Sequence, residues 1–268
     1  LMKWNLPYVA FKSFIQYEKQ LEDFEKFKNA ENNLNAITTS ENDVIVVIIG
    51  ESTTRRHMNL YGYSRKNTPR LLELSDSLIV YKNVISPHVY TTASIFDTFT
   101  LSNYENRKAD NSLLQYIKAA GYKVFWLSNQ RPVGLHDNLV VRLAAAADES
   151  VFLSYNDFRQ ATLYDEVLLP MLDEKLEVKE KKVIFVHLIG THFDYKNRYP
   201  EEYSVFSSKG ENSQNKIVDT YDNAILYNDY IVSEIINRVQ RKSEKSAVLY
   251  FSDHGEEVFD TVDYFGHF

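Results

Sequence analysis

Val44 to Ile49 is an unbroken run of β-branched residues, VIVVII, and it ends in Gly50-Glu51. A run with no polar residue on either face suits a strand covered on both sides, as in a parallel sheet packed between helices. Gly50 permits a sharp turn, and Ser52, Thr53 and Thr54 offer hydroxyls to cap whatever follows. In open α/β sheets ligands bind beyond the carboxyl ends of the strands, which is where Glu51 falls. The same grammar returns twice. KVIFVHLI (182–189) runs into Gly190-Thr191-His192, and SAVLYF (246–251) runs into Ser252-Asp253-His254-Gly255-Glu256-Glu257. Three buried strands each delivering a carboxylate or an imidazole past a C-terminal end form the pattern of a metal-centred enzyme site.

Composition bounds that reading. At 268 residues and 44% apolar content the chain can bury a sizeable core as a single α/β domain. A formal charge of −7, with no long Lys/Arg run, argues against a nucleic-acid partner. Cysteine is absent, which excludes disulfides, thiolate zinc sites and a cysteine nucleophile but does not fix the compartment. No apolar run approaches the roughly 20 residues of a membrane span.

Residues 1–42 read as a linker or helical segment ahead of a catalytic domain at 43–268. Trp4, Leu6, Tyr8, Phe11 and Phe14 crowd its start, and Leu21, Phe24 and Phe27 recur at helical spacing. They form either a helix packed on the domain or an aromatic juxtamembrane linker. Glu31 to Asn42 is polar and is expected as a loop. Arg55, Arg56, Arg65 and Lys66 lie near the first strand end, where they either bind a phosphate or form a solvated face. Leu71 to Leu78 is expected as a helix and Ile79 to Val84 as a strand. The hydroxyl-rich stretch ISPHVYTTASIFDTFT (85–100) reads as a helix cap or as a nucleophile at a loop-to-helix junction. Further on, 111–120 is expected as a helix, 122–128 as a strand, 140–147 and 163–175 as helices, and 218–240 as a long helix. Asn129, Gln130 and Arg131, at a strand end, are either substrate contacts or loop polarity.

The seven histidines divide by position. His187 lies within a strand and reads as a core residue with its polar atoms satisfied. His88 and His136 lie in loops, and His57 follows the arginine pair. His192, His254 and His267 all fall at or beyond strand ends, where imidazoles serve as metal ligands or acids.

Taken together, GESTTRRHMNLYGYSRKNTP, NVISPHVYTTAS, GYKVFWLSNQ, HLIGTHFDYKNRYP, YDNAILYND and SDHGEEVFDT followed by GH resemble, in order, the lipid A and core phosphoethanolamine transferases of Gram-negative inner membranes. The resemblance runs from Val44 to His267. It implies a sulfatase-like α/β sandwich of the alkaline-phosphatase superfamily, with a central, mostly parallel sheet flanked by helices. The domain would face the periplasm and be carried on N-terminal membrane helices that precede residue 1. It further implies a threonine nucleophile, Thr91, bound to Zn2+ together with Glu51, Asp253 and His254. Phosphatidylethanolamine would be the donor, and lipid A, lipopolysaccharide core or another periplasmic group the acceptor. His192, His267, Asn129 and Gln130 would contact substrate, or His192 and His267 a second zinc. That ligand set suits the chemistry: carboxylates, an imidazole and an alkoxide complete a tetrahedral zinc.

Three departures from the family pattern stand out. The cysteine pairs common around the nucleophile are absent, Thr92 adjoins Thr91, and the sequence ends at GHF. A phosphoglycerol transferase or phosphodiesterase of the same superfamily would keep the metal site and change the head-group pocket. A lipid-head-group binding domain without turnover would lack the covalent intermediate. The C/S-x-P-x-R motif of a sulfatase does not occur.

Overall fold

The computed structural model describes residues 34–103, 105, 111–132, 139–153, 163–208 and 212–267. The helical expectation for Leu21, Phe24 and Phe27, and the position of His136, lie outside them. Residues 34–42 contain no regular element. Five parallel strands form the sheet: β1 (Val44–Gly50), β2 (Lys123–Ser128), β3 (Glu149–Phe152), β4 (Lys182–His187) and β5 (Ser246–Ser252). Their order is β3-β2-β4-β1-β5, which puts β4 and β5 on either side of β1. The register pairs Ile49 with His187 and Gly50 with Ser252, so the three strands end level with one another.

Alternation along β1 sorts its side chains into two cores. Val46 and Ile48 pack with Ile184 and Val186, under α5 (Leu168–Leu176) and α6 (Ser213–Lys242). Val47 and Ile49 pack on the opposite face with Trp126 and Phe185. That face is covered by α2 (Thr91–Thr98), α3 (Leu113–Ala119) and α4 (Leu139–Ala144), through Ile95, Leu114 and Leu143. Ile48 and Ile49 are both fully buried on opposite faces, each stabilising the fold by roughly 1.5–3 kcal/mol. The result is the helix–sheet–helix sandwich that unbroken apolar strands require.

Local chemistry explains several ends. Ser112 caps α3 by accepting from the Gln115 amide, while the Gln115 side chain accepts from the Ser112 amide. Asn212 caps α6 by accepting from the amides of Gln214 and Asn215. A five-residue α1 (Pro69–Glu73) starts with proline at its first position, followed by a single 3-10 turn, Ser75–Ser77. A small antiparallel hairpin, β6 (Glu257–Val258) with β7 (Phe265–Gly266), stands beyond β5.

The strand expected at Ile79–Val84 does not form. That stretch has no regular structure, bends at Lys82-Asn83 and pairs with no described strand, and Ile79, Tyr81 and Val84 are 82%, 62% and 62% exposed. Its β-branched composition meets no neighbouring strand, and β-propensity largely expresses packing against neighbours. No helix among the described residues is long and apolar enough to cross a membrane.

Candidate active site

The ends of β1 and β5 set two carboxylates side by side. Asp253 donates its amide to the Gly50 carbonyl at 3.0 Å, extending the β1–β5 ladder by one step. Glu51 and Asp253 are thereby adjacent across the ladder, and both are buried. The Glu51 backbone is clamped from the β4 side, where Thr191 donates both its amide (3.1 Å) and its hydroxyl (2.9 Å) to the Glu51 carbonyl. Gly190 makes that approach feasible: it sits at φ +49°, and a Cβ there would come 3.0 Å from the Glu51 amide nitrogen and carbonyl oxygen. Ser52, at φ 55°, holds the left-handed conformation that β-carbons disfavour, a strain stored beside the site.

Four side chains meet in this corner. Thr91, the first residue of α2, donates its hydroxyl to Glu51 Oε2 at 2.9 Å and lies 3.5 Å from His254 Nε2. That imidazole nitrogen is 3.1 Å from Glu51 Oε1 and 3.5 Å from Asp253 Oδ2. Glu51, Asp253 and His254 each offer one ligand atom within 4.8 Å of the others. A second group with the same property shares His254 and adds Glu256 and His267. His267 reaches it from β7, its Nδ1 2.8 Å from Glu256 Oε2 and its ring centroid 4.4 Å from that of His254.

The electrostatics of the corner favour a cation. Burial alone would raise the Glu51 carboxyl, but the His254 hydrogen bond and the positive charges of His192 and His254 outweigh it and hold it well below its usual range. Burial and the Glu51 charge push the Asp253 carboxyl well above its own. Burial would lower His254, yet its hydrogen bond to Glu51 and the Asp253 charge raise it to about 9. The shifts of Asp253 and His254 both favour a proton held between the two carboxylates. Asp253 Oδ1 accepts from the Ser52 and His254 amides, whereas Oδ2 is buried without a hydrogen-bond partner among the described residues. A divalent cation would satisfy that oxygen and displace the proton. The donor set of carboxylate oxygen, imidazole nitrogen and hydroxyl oxygen fits zinc.

Of the residues expected to contact substrate, Gln130 points into the corner and donates to Glu51 Oε2 at 2.8 Å and to the Leu188 carbonyl at 3.0 Å. It therefore orients the Glu51 carboxylate. Asn129 does not reach the surface: it is fully buried, and its amide nitrogen donates to the Leu163 carbonyl and to Asp165 Oδ1. Its polarity serves the loop after β4, because Asp165 also accepts from the amides of Ile189 and Gly190. His192 is half-buried, with Nδ1 3.4 Å from the Phe193 carbonyl, and belongs to neither ligand group. The buried Arg198 donates to the carbonyls of His192 and Phe193 and fixes that loop.

The remaining candidates separate. Arg65 is committed to Asp219 and Asp222, both at 2.8 Å, while Arg55 donates to the Lys82 carbonyl and Arg56 is exposed 3.8 Å from Glu257. His57 is buried between Asp222 (2.7 Å) and Asp260 (3.3 Å), and His88 pairs with Asp97 at 2.7 Å. His187 is in the core, but among the described residues only Nδ1 has a hydrogen-bond partner, the Ser128 hydroxyl at 3.3 Å; burial lowers its pKa to about 4. Tyr221 and Glu256 were not singled out by sequence reasoning as site residues. The Tyr221 hydroxyl donates to the Ser52 carbonyl and accepts from the Thr54 amide, tying α6 to the β1 turn. Glu256 lay within the SDHGEEVFDT stretch, whose spacing past β5 was the available signal.

Comparison with known proteins bears on this geometry. The chain is 34% identical over 275 residues to phosphoethanolamine transferase EptC of Escherichia coli (strain K12), covering 95% of this chain and 48% of that protein. It is 33% identical over 275 residues to phosphoethanolamine transferase CptA of Salmonella typhimurium, with the same coverage. The chain spans about half the length of the curated relatives it matches. The C-terminal periplasmic domain of EcEptC from Escherichia coli, solved in complex with Zn, superposes with a TM-score of 0.81 at 33% identity, covering 88% of this chain and 72% of that one. The soluble domain of lipooligosaccharide phosphoethanolamine transferase A from Neisseria meningitidis gives 0.72 at 27% identity, covering 87% and 72%. Residues 43–267 match the Sulfatase family, and with the parallel sheet and the acidic corner at its strand ends, the chain belongs to that family.

Proposed function

We propose that this chain is the catalytic part of a zinc-dependent phosphoethanolamine transferase that works at the periplasmic face of a Gram-negative inner membrane. It would move phosphoethanolamine from phosphatidylethanolamine to lipid A, lipopolysaccharide core or another periplasmic acceptor by way of Thr91. The observation that carries the reading is the convergence of the Thr91 hydroxyl on Glu51 Oε2 and His254 Nε2, beside the unpartnered Asp253 Oδ2.

Glu51, Thr91, Asp253 and His254 would hold the zinc, which supplies Lewis acidity that lowers the pKa of the threonine hydroxyl and draws charge from a phosphoryl oxygen. The protein's own groups do the rest. Gln130 and the Thr191 clamp fix Glu51, and Glu51 Oε2 directs the Thr91 proton into the site, leaving an oxygen lone pair for attack. A bond forms between Thr91 Oγ1 and phosphorus as the bond from phosphorus to the diacylglycerol oxygen breaks. The threonine proton passes by way of Glu51 Oε2 to solvent water before attack, and the diacylglycerol oxygen takes a proton from His192 or His267. The first-turn amides of α2 add partial positive charge where the phosphoryl oxygens gather. In the second half an acceptor oxygen replaces Thr91 Oγ1 on phosphorus, and the proton movements reverse. A second zinc would draw on Glu256 and His267, since His254, common to both groups, is committed to the first.

Intact mass measured after incubation with phosphatidylethanolamine and zinc, followed by peptide mapping, tests the reading. A phosphoethanolamine adduct is expected on Thr91, absent from Thr91→Ala and retained in Thr92→Ala, with circular dichroism unchanged in both. An adduct on Thr92 would shift the nucleophile by one residue, and no adduct in any form would sink the mechanism.

A further inference from the structure

The segment leading into Thr91 is more apolar on its outside than its position warrants. Ile79, Tyr81, Val84, Ile85, Val89 and Tyr90 are 82%, 62%, 62%, 88%, 46% and 53% exposed, all within the twelve residues before the proposed nucleophile. The segment is nevertheless held. Arg55 donates to the Lys82 carbonyl, the Ser86 hydroxyl donates to the His88 carbonyl at 2.8 Å, and His88 pairs with Asp97 on α2. Its apolar side chains are thus presented on an anchored loop. Cations flank them: Lys82 is exposed within the loop, Arg55 and Arg56 are exposed at its base, and Arg56 lines a cavity of about 320 Å³ with Ser86, Val89, Glu257 and His267.

We infer that the 79–90 loop is a lip that seats this domain on an anionic phospholipid surface, inserting Ile79, Val84 and Ile85 among the head groups beside the Thr91 corner. Apolar side chains ringed by Lys and Arg are the combination that lies in a membrane interface: burial of the apolar groups supplies the depth, and anionic lipid supplies the attraction. Charge complementarity selects lipid over a basic protein partner. Since the whole chain carries −7, an anionic surface repels most of the domain and attracts this lip, which orients the site toward the lipid. The inference rests on the phospholipid-donor reading for its biological sense, but vesicle binding is read without turnover.

The test is sedimentation of the full 268-residue chain with phosphatidylcholine vesicles, with and without phosphatidylglycerol. Binding is expected only with phosphatidylglycerol and should weaken with salt. The Ile79→Ser/Val84→Ser/Ile85→Ser variant should lose about tenfold or more in partitioning, since depth scales with buried apolar area. Lys82→Gln should lose about fivefold. Unchanged thermal unfolding of both variants shows that the fold is intact. In an Ile85→Trp variant, emission should shift to the blue on vesicle addition. Absence of vesicle binding, or binding unaffected by the triple substitution, would overturn the proposal. So would loop-dependent self-association without lipid binding, which would make the lip a contact between copies. A chain that transfers phosphoethanolamine from detergent-dispersed donor yet ignores vesicles refutes the lip alone; one that binds vesicles and forms no Thr91 adduct refutes the transferase reading alone.

Discussion

Gly190→Ala is the sharpest probe of how the fold positions Glu51. At φ +49° any L-residue incurs about 1–2 kcal/mol of conformational strain. The added methyl also lands 3.0 Å from the Glu51 amide nitrogen and carbonyl oxygen, backbone atoms that can yield only if the β1–β4 contact opens. Overpacking of that kind adds about 1–3 kcal/mol, for a total of roughly 2–5 kcal/mol. At about 2–4 °C per kcal/mol for a domain of this size, the melting midpoint should fall by roughly 4–20 °C. Gly62→Ala is the internal control. It sits at φ +98° with nothing within 4 Å of its Cβ, so it bears the strain without the collision. Chemical denaturation should show Gly190→Ala losing at least about 1 kcal/mol more than Gly62→Ala, with similar m-values. Zinc retained after dialysis should fall in the former only, because only it displaces a ligand's backbone. Equal losses in the two variants, or a destabilised Gly190→Ala that keeps its zinc affinity, would show that the clamp is soft and that Glu51 is placed by something else.

Glu51→Gln, Asp253→Asn and His254→Ala should each retain much less zinc than the parent against a mild chelator, read by elemental analysis; full occupancy in any of them would remove that residue from the ligand set. His192→Ala and His267→Ala should keep the Glu51 zinc and lose most of their transfer rate; loss of that zinc from either would instead make the imidazole a ligand. In the chelated protein, the raised His254 pKa of about 9 contributes stability that is complete below the unfolded value of about 6.5 and is lost as pH rises through about 9. The melting midpoint of the chelated form should therefore drop across that window and that of the zinc form should not; a flat profile after chelation would mean that His254 is not protonated between the carboxylates.

How much of this was legible in the sequence depended on whether a residue's surroundings were local. β1, β2 and β4 announced themselves as apolar runs because strands buried on both faces need no partner pattern to be recognised. β5 reads as the same kind of run, yet it is an edge strand that is only partly buried, with Leu249 50% exposed, so the expectation of a third buried strand is corrected there. Glu51, His192, Asp253 and His254 followed from position past a strand end. β3 was missed because it is only four residues long and opens on exposed Glu149 and Ser150. Ile79–Val84 misled for the opposite reason: its composition is that of a strand, but no neighbour among the described residues pairs with it. Asn129 and Gln130 are consecutive and were read alike, yet one braces Asp165 behind the β4 loop and the other touches Glu51. They lie in the bend just past the end of β2, where no strand pattern fixes their directions, and nothing in the pair itself says which faces the site. The anchoring of His57 by Asp222 and Asp260 depends on α6 and the hairpin packing against the β1 turn, contacts far apart in sequence.

The ladder between β1 and β5 also bears on when the metal can act. Ser52 and Asp253, joined there by a hydrogen bond, are 201 positions apart, so Glu51 and Asp253 are neighbours only after one of the longest loops in the chain has closed. An unfolded chain offers zinc only the local cluster Asp253-His254-Gly255-Glu256-Glu257, without Glu51 and Thr91, and so should hold the ion far more weakly than the closed corner. Metal should therefore leave the folding rate nearly untouched and slow unfolding instead, stabilising the native state by mass action, about 2.7 kcal/mol at a hundred times the dissociation constant. The ion would behave as a latch closed last, holding the two ends of the domain together at the point where the chemistry occurs.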